Sequence, residues 1–340
     1  MKCYHVVGIY LQQNTMNTTP TKQTNETLSW DKFWQSSNHS QAFSDHGVNH
    51  PTIQTYWQNF FLQISEEGKD TIKLLDLACG NGALFDIANT VPSASKQIVF
   101  TGIDSSKAAT DNLLVKHPKA RVINSPLSTL PFDDNSFDVV TSQFGLEYAG
   151  LDNIDEAIRV LADGGSLRLL VHFKGGTIAG ECQRNLNTLT VLRDSNFIAL
   201  ARDLFHTGAQ AAQGKNRAEY DAAGSALAAT LPKIEHTIQH AGDLPAVDML
   251  EHLYLTVGKI HNNLTQYDPQ EVQSWLSDVE AENLAYQGRM ESMLNAAIDE
   301  DEFAALCAKV TNKGLSVTQA GPLLPHDSNR SLAWALTAKK

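Results

Sequence analysis

The chain has no apolar run approaching the roughly 20 residues that a membrane-spanning helix needs, so no membrane insertion is expected. Its opening, MKCYHVVGIYLQQN, carries an apolar patch too short for a secretory signal, with no small-residue cleavage site behind it. Cysteine is scarce. The four residues Cys3, Cys79, Cys182 and Cys307 lie far apart without a CxxC pair, which argues against both a zinc ribbon and a disulfide scaffold. A reducing, cytoplasmic setting is the expectation. Positive charge is short too: 26 Lys and Arg stand against 38 Asp and Glu, a formal charge of −12. A nucleic-acid binder draws most of its affinity from Lys and Arg neutralising phosphates, so no nucleic-acid partner is expected. There is no HExxH pair. His236 and His240 have the i, i+4 spacing of a helical metal pair but no flanking acid and no evident third ligand, so no metal is expected.

What is present is enough apolar sequence for a large core: 340 residues, 42% hydrophobic and 19% charged. Residues 1–28 are rich in Thr, Asn and Gln and read as a mostly disordered leader. Aromatics then appear at helical spacing, first around Trp30, Phe33 and Trp34 and next at Tyr56, Phe60, Phe61 and Ile64. The first cluster suits either a lid over a ligand or an anchor for a preceding helix. From 72 to 172 short apolar runs (IKLLDLA, IVFTGID, ARVIN, FDVVTSQ, SLRLLVH) alternate with amphipathic stretches, the last of them ending at a Gly-Gly turn. That alternation predicts a parallel sheet covered by helices on both faces, a doubly wound α/β unit.

Helical periodicity then holds to about residue 310. One predicted helix carries Val247, Leu250, Leu253, Val257, Ile260 and Leu264 on a single stripe. Another opens with Asp268 as N-cap, Pro269 at the first position and Glu271 closing a capping box, followed by Val272, Trp275, Leu276 and Val279. Strand character returns in GLSVTQ and SLAWALTA, separated by the turn-rich GPLLPHDSN. If those strands complete the sheet, residues 29–182 and 313–340 form one domain and 183–312 is a helical insertion within it. Between Asp243 and Glu302 thirteen acids face two bases, Lys259 and Arg289, which reads as a solvated acidic surface or a dock for a cationic partner.

The chemistry is concentrated at KLLDLACGNGAL, residues 73–84. A strand ending near an acid and running into a glycine turn lets backbone approach a nucleotide-like ligand, and Asp104, 24 residues after Gly80, is placed to accept ribose hydroxyls. Both a dinucleotide and S-adenosylmethionine fit that pattern. The turn is not GxGxxG, because Ala78, Gly80 and Ala83 occupy the three glycine places.

The stretch resembles instead the first motif of class I S-adenosylmethionine-dependent methyltransferases. The resemblance continues in order through GIDSS, LPFDDNSFDVVTSQFGLEYA and EAIRVLADGGSLRLLVH, and is nearest to ubiquinone/menaquinone-biosynthesis methyltransferases and related small-molecule enzymes. It implies an α/β fold with a mostly parallel, seven-stranded doubly wound sheet, an antiparallel C-terminal strand and here a large helical insertion. It also implies S-adenosyl-L-methionine as cofactor. Asp76 would orient the glycine loop or contact the methionine amino group. Ala78, Gly80 and Gly82 would floor the methionine and ribose, Asp104 would bind the ribose, and Ser105 would lie beside adenine. Leu127 would offer its backbone N–H to adenine, while Gln143 would border the methionine end and Phe144 the reacting methyl. One departure concerns adenine: many relatives place an Asp where this chain has Pro126, leaving Ser125 or Ser128 to replace it.

Candidate catalytic residues are His172, at the end of the fifth strand run, and Glu147 and Tyr148, just after the fourth. Methyl transfer is an in-line displacement that demands alignment and exclusion of water more than a triad. Each of the three also has a packing role open to it. The expected activity is methylation of a small-molecule acceptor beneath a helical cap. The cap's aromatics (Phe197, Phe205, Tyr220, Tyr254, Tyr267, Trp275, Tyr286) are expected mostly to fill its own core. The competing reading is a non-catalytic S-adenosylmethionine-binding protein that docks a partner through its acidic helices; a nicotinamide oxidoreductase is the weaker third. The oligomeric state is not legible.

Overall fold

Strands form where apolar residues face both ways. In the computed structural model, which describes residues 30–35, 50–67, 69–92, 98–325 and 329–340, Leu74 and Leu75 turn to opposite faces of one sheet, as do Val139 and Val140. The leader expected over residues 1–28 lies outside the described residues. The strands are β1 (Ile72–Leu77), β2 (Ile98–Asp104), β3 (Arg121–Asn124), β4 (Phe137–Gln143), β5 (Leu161–His172), β6 (Ser316–Leu323) and β7 (Ala333–Lys339), in the order β3-β2-β1-β4-β5-β7-β6. Neighbours from β3 to β5 pair in parallel, and β7 runs antiparallel between β5 and β6. The seven-stranded, mostly parallel sheet is therefore as the sequence led us to expect. Successive connections run outward in opposite senses from β1 and β4, so their carboxyl ends border the crevice where such sheets hold ligands.

Two boundaries differ from the expectation. The Gly-Gly turn lies inside β5, which begins at Leu161. There Phe137 pairs with Leu161 and Val139 with Ser166, and this register shift absorbs Gly164 at φ 74°. Strand β6 likewise continues through Gly321 and Pro322, because Pro322 lies at the sheet edge where its missing N–H costs no ladder bond.

The first layer holds α1 (Pro51–Glu66), whose Ile53, Trp57, Phe61 and Ile64 are buried against Leu74, Val139 and Leu170. On the opposite face α5 (Ile154–Val160) and α12 (Glu300–Asn312) pack on Leu75, Val140, Leu169 and Trp334. Short helices α2 (Ala83–Asn89), α3 (Lys107–Lys116) and α4 (Leu146–Ala149) follow β1, β2 and β4.

Between β5 and α12 run α6 (Thr177–Asp194), α7 (Phe197–Ala212), α8 (Arg217–Ala228), α9 (Leu231–His240), α10 (Pro245–Asn262) and α11 (Pro269–Ala296). These helices share a core of their own, with Phe197, Leu204, Phe205, Leu250, Leu253, Val257, Val272 and Leu276 at its centre. Tyr220, Tyr254, Tyr267 and Trp275 pack on it, but Tyr286 joins the sheet's α1-side core instead. Helix α6 bridges the two: Ile178, Cys182 and Leu189 meet the sheet's core and Leu192 the helical one. Asp268 caps α11 by accepting from the N–H groups of Gln270 and Glu271, while the reciprocal capping box forms one helix later, between Asp299 and Glu302.

Candidate functional site

The crevice is built from turns that ordinary residues resist. Ala78 after β1 and Phe144 after β4 both hold left-handed φ, 51° and 53°, alongside Gly80 at 52° and Gly82 at 89°. Non-glycine residues in that region are strained and persist where surrounding structure over-determines them. The two turns touch at Gly145, where a Cβ would stand 2.4 Å from the Ala78 Cβ and 3.2 Å from the Leu77 carbonyl oxygen. Gly145 was not singled out in the sequence; its signal was its place immediately after the fourth strand run.

Each glycine of the first turn has a separate reason. A Cβ on Gly80 would meet the Trp34 indole at 2.9 Å, so the helical segment at residues 30–35 lies over the turn. A Cβ on Gly82 would strike Leu113 of α3 at 2.2 Å, so Gly82 serves helix packing as well as the turn. The turn is oriented by Asp104 and not by Asp76. One Asp104 carboxylate oxygen accepts the Gly80 N–H at 2.8 Å and the other the Ser106 N–H at 2.8 Å. Asp76 accepts instead from the Thr141 hydroxyl of β4 at 3.0 Å, tying β1 to β4 beneath the crevice.

Both carboxyls are buried, and burial raises their proton affinity: Asp76 is pushed up to about 8, with the nearby Asp104 charge adding to the shift, and Asp104 moves in the same direction. Asp31, from the segment over the turn, accepts from the Ser106 hydroxyl and raises Asp104 further. Asp31 was missed in the sequence, since nothing local places it near β2. Asn112 donates to the Trp34 carbonyl at 2.7 Å and holds the segment down.

Around adenine's expected place the arrangement is looser. Ser105 is exposed, and its carbonyl, with that of Asp104, accepts from Asn124 at 3.0 Å. The Ser125 N–H bonds the Asp104 carbonyl at 3.0 Å, Pro126 and Ser128 are exposed, and Leu127 is buried in the core on the α5 side.

At β4 and β5 the three candidate catalytic residues come together. His172 and Glu147 are 1% and 6% exposed, and His172 Nδ1 lies 2.7 Å from Glu147 Oε1. The same oxygen accepts the His172 backbone N–H at 2.9 Å, while Glu147 Oε2 is buried without a partner among the described residues. The imidazole stands 4.4 Å from the Phe144 ring and 5.7 Å from Tyr148. Tyr148 in turn meets Trp30 edge-on at 5.6 Å, and the Trp30 indole N–H donates to Ser292 of α11 at 3.4 Å. Gln143 Oε1 is buried with no partner among the described residues. This buried acid–imidazole pair was not foreseen as a pair, because Glu147 and His172 lie 25 positions apart.

The donor set fits a ligand that carries positive charge and vicinal hydroxyls. Buried carboxyls with raised proton affinity gain most from a cation, and the Gly80 and Gly145 positions leave no room for side chains of their own. His236 and His240 stack at 4.2 Å, and among the described residues no group of three His, Cys, Asp or Glu is gathered for a metal. No helix among the described residues is long and apolar enough to cross a membrane.

Residues 75–169 match a family described as a methyltransferase domain. The chain is 33% identical over 124 residues to the ubiquinone/menaquinone biosynthesis C-methyltransferase UbiE of Stutzerimonas stutzeri, covering 35% of this chain and 48% of that one. It is 32% identical over 126 residues to the UbiE of Shewanella pealeana, covering 35% and 49%. The chain thus spans about half the length of the curated relatives it matches. Among solved structures, the plantazolicin methyltransferase BpumL in complex with SAH aligns over 94% of this chain and 97% of that one, with 12% identity and a TM-score of 0.45.

Proposed function

We propose, from the premise that residues 75–169 form a class I S-adenosylmethionine-dependent methyltransferase domain related to UbiE, that this chain methylates a small-molecule acceptor. The observation that carries the reading is the convergence on one crevice of the Asp104-bound glycine turn and the buried Glu147–His172 pair. When bound, S-adenosylmethionine supplies an activated methyl group. The residues that would hold it are Asp104 for the ribose, Asp76 toward the charged methionine end, and the Ala78–Gly82 turn as floor. Gln143 would border the methionine end and Phe144 the reacting methyl.

The remaining work falls to the chain's own side chains. Glu147 fixes the His172 ring through Nδ1, so Nε2 is the nitrogen that would receive the acceptor's proton. In the buried setting that proton transfer is shielded from bulk water, and Tyr148 and Phe144 wall the ring. Trp30, Phe33 and Trp34 would act as a lid whose indole covers the glycine turn. The helices between β5 and α12 would form a cap that shapes the acceptor site, with domain limits at 29–182 plus 313–340 and 183–312. A reducing, cytoplasmic setting without nucleic-acid partners accompanies this reading, in keeping with the unpaired Cys79, Cys182 and Cys307.

The test is thermal unfolding of the purified chain with S-adenosylmethionine, S-adenosylhomocysteine, NAD or no ligand. A ligand at 100 times its dissociation constant adds about 2.7 kcal/mol. Stabilisation by the first two ligands alone, lost in Asp104→Ala, is the expected result. A shift with NAD alone, or none, overturns the reading.

A further inference from the structure

Arg289 is one of two bases among the thirteen acids between Asp243 and Glu302, and it is the one turned inward. It shares the inner stripe of α11 with Tyr286, Met290 and Met293, which belong, as Phe144 does, to the sheet's α1-side core. Its guanidinium carbon stands 4.5 Å from the Phe33 ring centroid and 4.9 Å from that of Tyr286. Its Nε is buried with no acceptor among the described residues, and burial lowers its proton affinity to about 10.

Arg159, by contrast, bonds Glu156, Asp134 and the carbonyls of Leu130 and Phe132. Arg168 stacks on Tyr56 and donates to its carbonyl, although its Nε too is buried with no partner among the described residues. Aromatic faces offset the loss of water above and below a guanidinium but leave its in-plane N–H groups without acceptors. Those N–H groups form a fork that matches the two oxygens of a carboxylate. From Arg289 the rings lead to the site by successive contacts: Phe33 to Trp30 at 6.1 Å, Trp30 to Tyr148 at 5.6 Å, and Tyr148 to His172 at 5.7 Å.

We propose that Arg289 is the specificity residue for the acceptor: it takes a single carboxylate on a molecule whose apolar body lies along Phe33, Trp30 and Tyr148. One cation balances one negative charge. A dianion such as a phosphate monoester is disfavoured, because the charge of Glu181 on α6 already reaches this neighbourhood, where it raises the Tyr286 phenol. The inference rests on the methyltransferase reading for the word acceptor, but the carboxylate site itself does not.

The test titrates the full chain with 3-phenylpropionate and with its neutral isostere 3-phenylpropionamide, by calorimetry, with and without S-adenosylhomocysteine. The acid is expected to bind at least tenfold more tightly than the amide. Arg289→Met should erase that difference, and Arg289→Lys, which keeps the charge but loses the fork, should retain part of it. S-adenosylhomocysteine affinity should stay within twofold in both variants. Equal binding of acid and amide by the unaltered chain, binding of neither, or a preference that survives in Arg289→Met overturns the proposal. Should S-adenosylhomocysteine fail to bind the unaltered chain, the methyltransferase reading falls while the acid–amide comparison still decides Arg289. If Arg289→Met does not fold, Arg289→Lys carries the test: full retention of the preference overturns the forked contact.

Discussion

The sheet and the helical block bury very different things. Under the sheet's carboxyl edge lie Asp76, Asp104, Glu147 and His172, and Arg168 is buried in mid-strand. From α6 to α11 the fully buried polar side chains are Asn185, Thr188 and Ser292, and the inward-turned charge, Arg289, is half-buried. Burying a charge is expensive unless it is paired or hydrogen-bonded, so a fold keeps such groups only where partners are built for them. The helical core needs no such partners, because its interior is aliphatic and aromatic. The contrast separates a region that gathers several buried charged groups from one built mainly on apolar packing.

The largest expected effect sharpens that contrast. Glu147→Ala would strip the His172 backbone N–H and Nδ1 of their acceptor, costing about 3 kcal/mol or more by urea unfolding. Leu253→Ala, in the centre of the helical core, should cost a similar 2–5 kcal/mol or thereabouts. The two should differ in chemistry: methyl transfer per folded molecule is lost in the first and retained in the second. Equal loss in both would break the comparison.

Next comes Gly145→Ala. Its Cβ would meet the Ala78 Cβ at 2.4 Å, forcing the turns after β1 and β4 apart. A cost of about 1–3 kcal/mol is expected, with at least tenfold weaker S-adenosylhomocysteine binding. Unchanged affinity in a calorimetric titration would show that the two turns do not cooperate in the site.

Between about pH 4 and pH 8 a pH effect is expected from the sheet. The folded chain holds Asp76 up to about 8 from its ordinary 3.8, so it binds a proton that the unfolded chain has released. Stability from this group is therefore full at low pH and is lost as pH rises from about 4 to about 8. Asp104 adds in the same direction. Denaturation midpoints measured at pH 5, 6.5 and 8 should fall for the unaltered chain and flatten for Asp76→Asn. A flat series for both would mean that Asp76 is ionised in the fold.

The smallest effects lie on the helical surface. Asp268→Ala removes two accepted N–H bonds at the start of α11 and should cost about 1 kcal/mol. Arg217→Ala breaks an exposed i, i+4 pair with Asp221 and should change stability by less than about 0.5 kcal/mol.

Much of this was legible along the chain because local rules govern it. Alternating apolar runs marked the strands, Asp268 and Pro269 marked a helix start, and the glycine turn with its distal acid marked the crevice. The misplaced details each had a non-local cause. The Gly-Gly turn was drawn into β5 by pairing with β4, and Tyr286 was drawn from the helical core to the sheet's α1 side by the long reach of α11. Asp31 gave no local sign of its role, since only folding brings it onto Ser106, and Trp34, legible as a lid or an anchor, needed the fold to set it against Gly80.

By itself, then, the sequence determined the strands, the helices, the glycine turn and the residue types available at each strand's end. Periodicity and turn chemistry act over a few residues and leave their mark in the chain. The tertiary structure alone decided that Glu147 would engage His172, that Asp104 would hold Gly80, and that Arg289 would sit between two rings with its Nε unpaired among the described residues. Those outcomes join residues tens to hundreds of positions apart. They depend on which charges the packing buries together, and no local pattern records that.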